Sequence, residues 1–207
     1  MKLFRGGSVW RKWDLHVHAP GTVLNDCYGG ATDANWETFC DIVHSSDVDV
    51  VGIADYFRAD SFFEFVARYE QRYPESEKVF FPNVELRLNE AVNDAGDTVD
   101  MHVLFRPDVS AETVTKFLSS LPAQLSDAND RNIPCAELEN DQQYWSASVA
   151  RGDVLTALAD TFGKAARSDQ VLVLVPANNN GIRGSAVERK RNLTVQIDKM
   201  VDAIFGS

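Results

Sequence analysis

Trp13-Asp14-Leu15-His16-Val17-His18 decides how the rest of this chain is read. The stretch has the composition of a strand, and side chains at i and i+2 of a strand project to one side, so His16 and His18 stand together. Two imidazoles within three residues are half of a metal site. Later strand-like segments carry further ligand-type residues: Asp55 closes Val50-Val51-Gly52-Ile53-Ala54-Asp55, Glu85 closes Phe80-Phe81-Pro82-Asn83-Val84-Glu85, and His102 lies within Met101-His102-Val103-Leu104-Phe105. Imidazole and carboxylate groups drawn from separate strands suit divalent ions of hard or borderline character.

The 207 residues, 44% of them hydrophobic, can bury a full core, and 1–207 reads as a single domain. Cys27, Cys40 and Cys135 are an odd number at unrelated spacings with no CxxC pair, and no secretory leader follows Met1. A reducing, cytoplasmic location is the expectation. No apolar run approaches the roughly 20 residues needed to cross a bilayer, so no membrane partner is expected. A formal charge of −11 argues against a general nucleic-acid clamp, which works through Lys and Arg on phosphates. The basic cluster runs from Arg183 to Arg191.

Period and punctuation predict strands near 12–18, 49–54, 79–88 and 99–106, with helices near 34–46 and 59–73 between the first three. Ser110 is a helix cap for Ala111 to Leu121, closed by Pro122. The polar, weakly periodic stretch 123–147 reads as a long loop or insertion with at most short helices. Asp153 caps a helix running to Phe162 with Gly163 as its stop, and Gln170 to Val175 is a buried strand. A helix from Ser185 to Met200 and a strand from Val201 to Phe205 complete an α/β chain. Because a βα loop should begin after Gly206, the sequence is expected to be an N-terminal fragment of a longer polypeptide.

Asp14-Leu15-His16-Val17-His18, Gly52-Ile53-Ala54-Asp55-Tyr56, Asn83-Val84-Glu85-Leu86 and His102-Val103-Leu104 resemble, in order and spacing, the motifs of the PHP (polymerase and histidinol phosphatase) domain. Ser8 to Pro20, Ala54 to Phe57 and Met200 to Phe205 further resemble the amino-terminal part of TrlF-type proteins, in which a PHP-like domain precedes an SMC-like AAA ATPase. The resemblance implies a distorted (β/α)7 barrel, incomplete at its C-terminus, with two or three divalent ions (Zn, Mn or Fe) at the strand ends. It implies His16, His18, Glu85 and His102 as metal ligands, with Glu85 bridging and Asp55 matching the aspartate of the Thr-Asp-His motif. Glu85 and Asp55 are then the catalytic carboxylates. Three departures stand out: Tyr56 occupies the place of a metal-binding histidine, Ala54 that of the motif's threonine, and the family's closing Asp-x-His motif would fall beyond Ser207.

Each of these residues also has a plainer reading. His16 and His18 could be polar residues of an exposed strand, and His102 a satisfied core histidine. Asp14, on the side of His16, could orient an imidazole or simply be solvated. Asp55 could cap the following helix, and Glu85 could pair with Arg87, two residues on and on the same side. Tyr56 could touch a phosphate oxygen or merely pack. His44, late in a helical pattern, reads as structural. Asn178, Asn179, Asn180 and Gly181 suit a turn or ligand contact. Arg183, Arg189, Lys190 and Arg191 suit a solvated face or a phosphate backbone.

The expected function is a metal-dependent phosphoesterase or nuclease-like hydrolase acting on a phosphoester substrate, nucleic acid included, by in-line attack of an activated water on phosphorus. The resemblance adds an attached or partner ATPase domain and a setting in defence against phage. The alternative is a catalytically degraded PHP-like module serving that ATPase as scaffold or regulator.

Overall fold

A computed structural model of the chain describes residues 10–24, 26–91, 98–126, 131–164, 167–178, 181–182 and 191–206. Strand and helix alternate through its first half, as the punctuation predicts: β1 (Trp13–His18), α1 (Asp33–Ser45), β2 (Val50–Tyr56), α2 (Asp60–Arg72), β3 (Val79–Ala91) and β4 (Thr98–Phe105). There follow α3 (Ala111–Ser120), β5 (Pro122–Leu125), β6 (Asn132–Pro134), α4 (Asp141–Ser146), β7 (Ala147–Ser148), α5 (Arg151–Phe162), α6 (Arg167–Gln170), β8 (Val171–Pro176), α7 (Arg191–Asp198) and β9 (Ala203–Phe205). Thr32 caps α1 by accepting the Asn35 amide, and Ser110 caps α3 by accepting that of Thr113. Gly163, at φ +76°, ends α5 as predicted, while the N-cap is Ala150 and Asp153 lies in the first turn, where its charge suits the helix dipole.

Six strands form the main sheet in the order β1-β2-β3-β4-β8-β9. β1, β2 and β3 run parallel, as crossover helices require; β4 is antiparallel to both β3 and β8, and β9 is parallel to β8. The short connection from β3 to β4 has no length for a crossover, so β4 must turn back. With β4 reversed, the described residues form a mixed six-stranded sheet and do not confirm the seven βα units of the expected barrel.

Period two divides each central strand into two faces. Val84, Leu86 and Leu88 of β3 and Val99, Met101, Val103 and Phe105 of β4 join a core with Phe117, Leu121, Val154 and Leu158 of the covering helices and their flanks. Val51 and Ile53 of β2 pack with Phe39, Phe65 and Tyr69 from α1 and α2. The opposite face carries Asn83, Glu85, Asp100 and His102, all buried. That face is strongly concave. His16 and His102 lie on β1 and β4, three strand spacings or ~14 Å apart on a flat sheet, yet their ring centroids are 4.6 Å apart. Phe205 of β9 meets both rings, at 6.1 Å and 5.0 Å. The fold is therefore α/β with a sheet curled into a half-barrel.

The stretch 123–147, expected as loop with at most short helices, instead contains strands. β5 pairs antiparallel with β6 and with β7 to form a separate three-stranded sheet, beside a 3-10 turn at Cys135–Glu137 and the short α4. Strands of two to four residues are too short to display an alternation, and their pairing is decided by neighbours distant in sequence. The helix expected over 185–200 is present as α7 among the described residues; Arg183, Arg189, Lys190, Asn179 and Asn180 lie outside them. Cys40 and Cys135 are buried thiols and Cys27 is exposed. No described helix is long and apolar enough to cross a membrane.

Candidate metal centre

The ligand-type side chains converge on the concave face. β3 and β4 set Glu85 directly opposite His102 in their antiparallel ladder. β1 supplies His16 and His18 from a bulge, its register on β2 shifting between Asp14 and Val17. His16 Nε2 lies 3.1 Å from Glu85 Oε2 and 3.2 Å from His18 Nε2, and His18 Nε2 lies 3.7 Å from the same carboxylate oxygen. One ligand atom from each of His16, Glu85 and His102 falls within 4.8 Å of the others. Atoms held by one ion through bonds of about 2.0 Å in tetrahedral array stand roughly 3.3 Å apart, a spacing the atoms around the Glu85 oxygen could accommodate.

A divalent ion fits where the site leaves buried polar atoms unsatisfied. Nδ1 of His102 lies 3.2 Å from Asn83 Oδ1, while its Nε2 is buried without a hydrogen-bond partner among the described residues. An unpaired polar atom in an apolar interior is costly. A cation on the Glu85 side of the ring would satisfy it.

The electrostatics agree. Burial, opposed by the charge of Glu85, pushes His102 down to about 3, so its ring is neutral at physiological pH. Burial also lowers His18. Burial pulls on His16 too, but the hydrogen bond and charge of Glu85, aided by Asp100 and Asp14, prevail and raise it. Burial works to raise Glu85, yet the hydrogen bond to His16 and the surrounding imidazoles hold it below the usual carboxylate range. A carboxylate beside two neutral imidazoles is the protonation state that metal binding requires.

The remaining candidates are placed elsewhere. The structure does not bring Asp55 into the cluster. It pairs in register with Val84, on the face opposite Glu85. Its Oδ1 accepts the amides of Val23 and Tyr56 at 3.1 Å and 2.9 Å, and its Oδ2 sits 3.6 Å from Arg58 Nε. Burial, opposed by Arg58, raises it to about 7. Nor does it cap α2, whose N-cap is Ala59. Asp14 accepts the backbone amide of His16 at 3.3 Å rather than a ring nitrogen. Arg87 does not pair with Glu85; its Nη1 donates to the Trp145 and Ala147 carbonyls, tying the insertion to β3. Tyr56 stacks on His18, centroids 5.4 Å apart and planes 15° from parallel. His44 packs on Tyr73 and meets the Tyr69 hydroxyl at 3.0 Å, a structural role. Asn178 is exposed after β8. Sequence reasoning missed Asn83, fully buried behind His102. An amide in an otherwise apolar strand needs a buried partner as a carboxylate does, so Asn83, between Pro82 and Val84, carries the same signal as Glu85.

No family model matches the chain, and no curated protein does. Among solved structures, the chain is similar to a Bifidobacterium adolescentis protein named as a candidate metal-dependent phosphoesterase. The TM-score is 0.41 and the identity 13%, over 94% of this chain and 76% of that one. At this degree of similarity the neighbour's activity does not carry over.

Proposed function

We propose that this chain carries a divalent-metal centre on His16, His18, Glu85 and His102 and serves metal-dependent hydrolysis of a phosphoester. The observation that supports the reading most directly is the buried, unpartnered Nε2 of His102 on the face of the ladder that carries Glu85 and meets His16. A divalent ion there would supply Lewis acidity, generating a nucleophile from water at neutral pH and drawing charge from a phosphoryl oxygen. The protein's own part is to hold Glu85 ionised and keep His18 and His102 neutral, on a floor where Glu85 and His102 are buried. The phosphoester as substrate, nucleic acid included, and an attached or partner ATPase with a role in phage defence rest on the motif resemblance alone. So do the (β/α)7 barrel and the choice of Zn, Mn or Fe.

A second reading, a degraded module kept as a scaffold, is favoured by two observations. Tyr56 stacks on His18 where the resemblance places a ligand, and Asp55 faces away from the cluster. Metal content of the purified chain and of its His16→Ala variant, each then assayed with Mn on a generic phosphodiester, separates the two. Bound metal lost in the variant, with turnover lost alongside, supports the hydrolase. Bound metal without turnover supports the scaffold, and a folded protein that binds none overturns the metal centre.

A further inference from the structure

We propose that Asn83 is the positioning residue of this centre: its single amide group fixes which nitrogen of His102 is free to bind and holds β1 folded over β2 so that His16 reaches it. The inference rests on the metal-centre reading above and deepens it. Asn83 Nδ2 lies 2.7 Å from the Leu15 carbonyl oxygen, and Asn83 Oδ1 lies 3.2 Å from His102 Nδ1. A carbonyl only accepts, so the amide nitrogen must face Leu15. The amide oxygen then faces His102 and also only accepts, so Nδ1 of His102 carries the ring hydrogen. Its lone pair is therefore on Nε2, the atom left without a partner. Two hydrogen bonds to one side chain thus determine the tautomer of a ligand three strands from Leu15, and outer partners of this kind orient ligating imidazoles generally.

The Leu15 end of the same amide explains why β1 reaches inward at all. Asn83 is on β3, so its reach to β1 passes over β2, where Ala54 is its register partner. On that face β2 presents Gly52 and Ala54, the two smallest side chains available. A Cβ built on Gly52 would lie inside contact distance of the Leu15 carbonyl oxygen and 2.8 Å from both the Leu15 carbonyl carbon and Cα. The β1 backbone therefore occupies the space a side chain would fill. It does so at the residue between Asp14 and His16, inside the register shift. Gly52 provides the room and Asn83 the anchor, and both act on one carbonyl group.

The test uses the metal-free protein at pH 8, reading histidine tautomers by long-range 1H–15N correlation, and then zinc affinity by chelator competition. Wild-type His102 is expected to be protonated on Nδ1. Asn83→Leu, which removes the acceptor, should shift the proton to Nε2 and weaken zinc about 10–100-fold. Asn83→Asp keeps an acceptor for His102 and loses the donor to Leu15, so Nδ1 should stay protonated. Gly52→Ala should leave the tautomer in place and weaken zinc by displacing β1. Retention of the Nδ1 proton in Asn83→Leu, loss of it in Asn83→Asp, or unchanged zinc affinity in Gly52→Ala overturns the proposal. If Asn83→Leu does not fold, the other two variants still decide it. A wild-type protein that binds no zinc would fail the metal reading, while the tautomer measurements would continue to test Asn83 by themselves.

Discussion

The chain has four histidines and uses them in two contrasting settings. His44, in the last turn of α1, stacks on Tyr73 with centroids 3.7 Å apart and planes 2° from parallel, and its Nδ1 meets the Tyr69 hydroxyl, which in turn meets Ser76 at 2.9 Å. Its ring lies at the surface, so every polar atom there has a hydroxyl or solvent to meet. In the curled sheet, His16, His18 and His102 crowd edge to face around one carboxylate, and His102 is buried with a nitrogen that no described residue satisfies. An imidazole beside hydroxyls and open to water stiffens a seam between helices. A buried one with an unpartnered nitrogen, beside other imidazoles and an anion, is the proposed seat of a cation. Residue type does not separate the two settings; the satisfaction of each nitrogen does.

The largest effect expected from this contrast is on metal affinity. His16→Ala or His102→Ala removes a proposed ligand outright and should weaken zinc by more than the 10–100-fold typical of outer-shell changes, while His44→Ala should leave zinc affinity unchanged. Equal losses from all three would erase the distinction.

The converse holds for packing. Phe65 is fully buried between Phe39, Tyr69 and Phe80 at ring separations of 5.1, 5.3 and 4.9 Å. Phe65→Ala should cost about 3–5 kcal/mol in denaturant unfolding with metal stoichiometry retained, because that core lies on the face of the sheet opposite the site.

Acidification sharpens the contrast further. His102 is held at about 3, below its unfolded value, so it contributes stability above pH 6.5 that is lost as pH falls toward 3. His16, raised, acts in the opposite direction, and so does Asp55, which is raised to about 7 and favours the native state as pH falls. The informative quantity is therefore a difference between proteins. Chelator-treated wild type should lose about 2 kcal/mol more than His102→Gln between pH 6.5 and 4.5, and parallel pH profiles would show that His102 is not held neutral by burial. The smallest effect is at the seam: His44→Gln should cost about 1 kcal/mol, one hydrogen bond and one favourable contact with a helix end, with no change in metal content.

Much of this arrangement is legible in the sequence. The alternation of strand and helix through β4, the Ser110 cap and the Gly163 stop follow from local patterns that need no tertiary information. Period two placed Glu85 and His102 on polar faces of otherwise apolar strands. The same period puts Asp55 on the wrong side of β2 from Tyr56 and Glu85, and the match to a motif obscured what the alternation already implied. Asn83 was hidden differently: nothing local says that an amide on β3 will reach β1. The strands of the insertion were hidden because runs of two to four residues carry no period.

The sequence by itself determined which residues share a face, because in a strand that follows from the geometry of successive Cβ atoms. Only the tertiary structure decided which faces meet. His16 and His102 come together through the curvature of the sheet and through the bulge of β1 lying over Gly52, and both depend on how backbone packs against backbone across strands far apart in the chain. Distances of that kind are set by what fits in the space between strands, which no local pattern records.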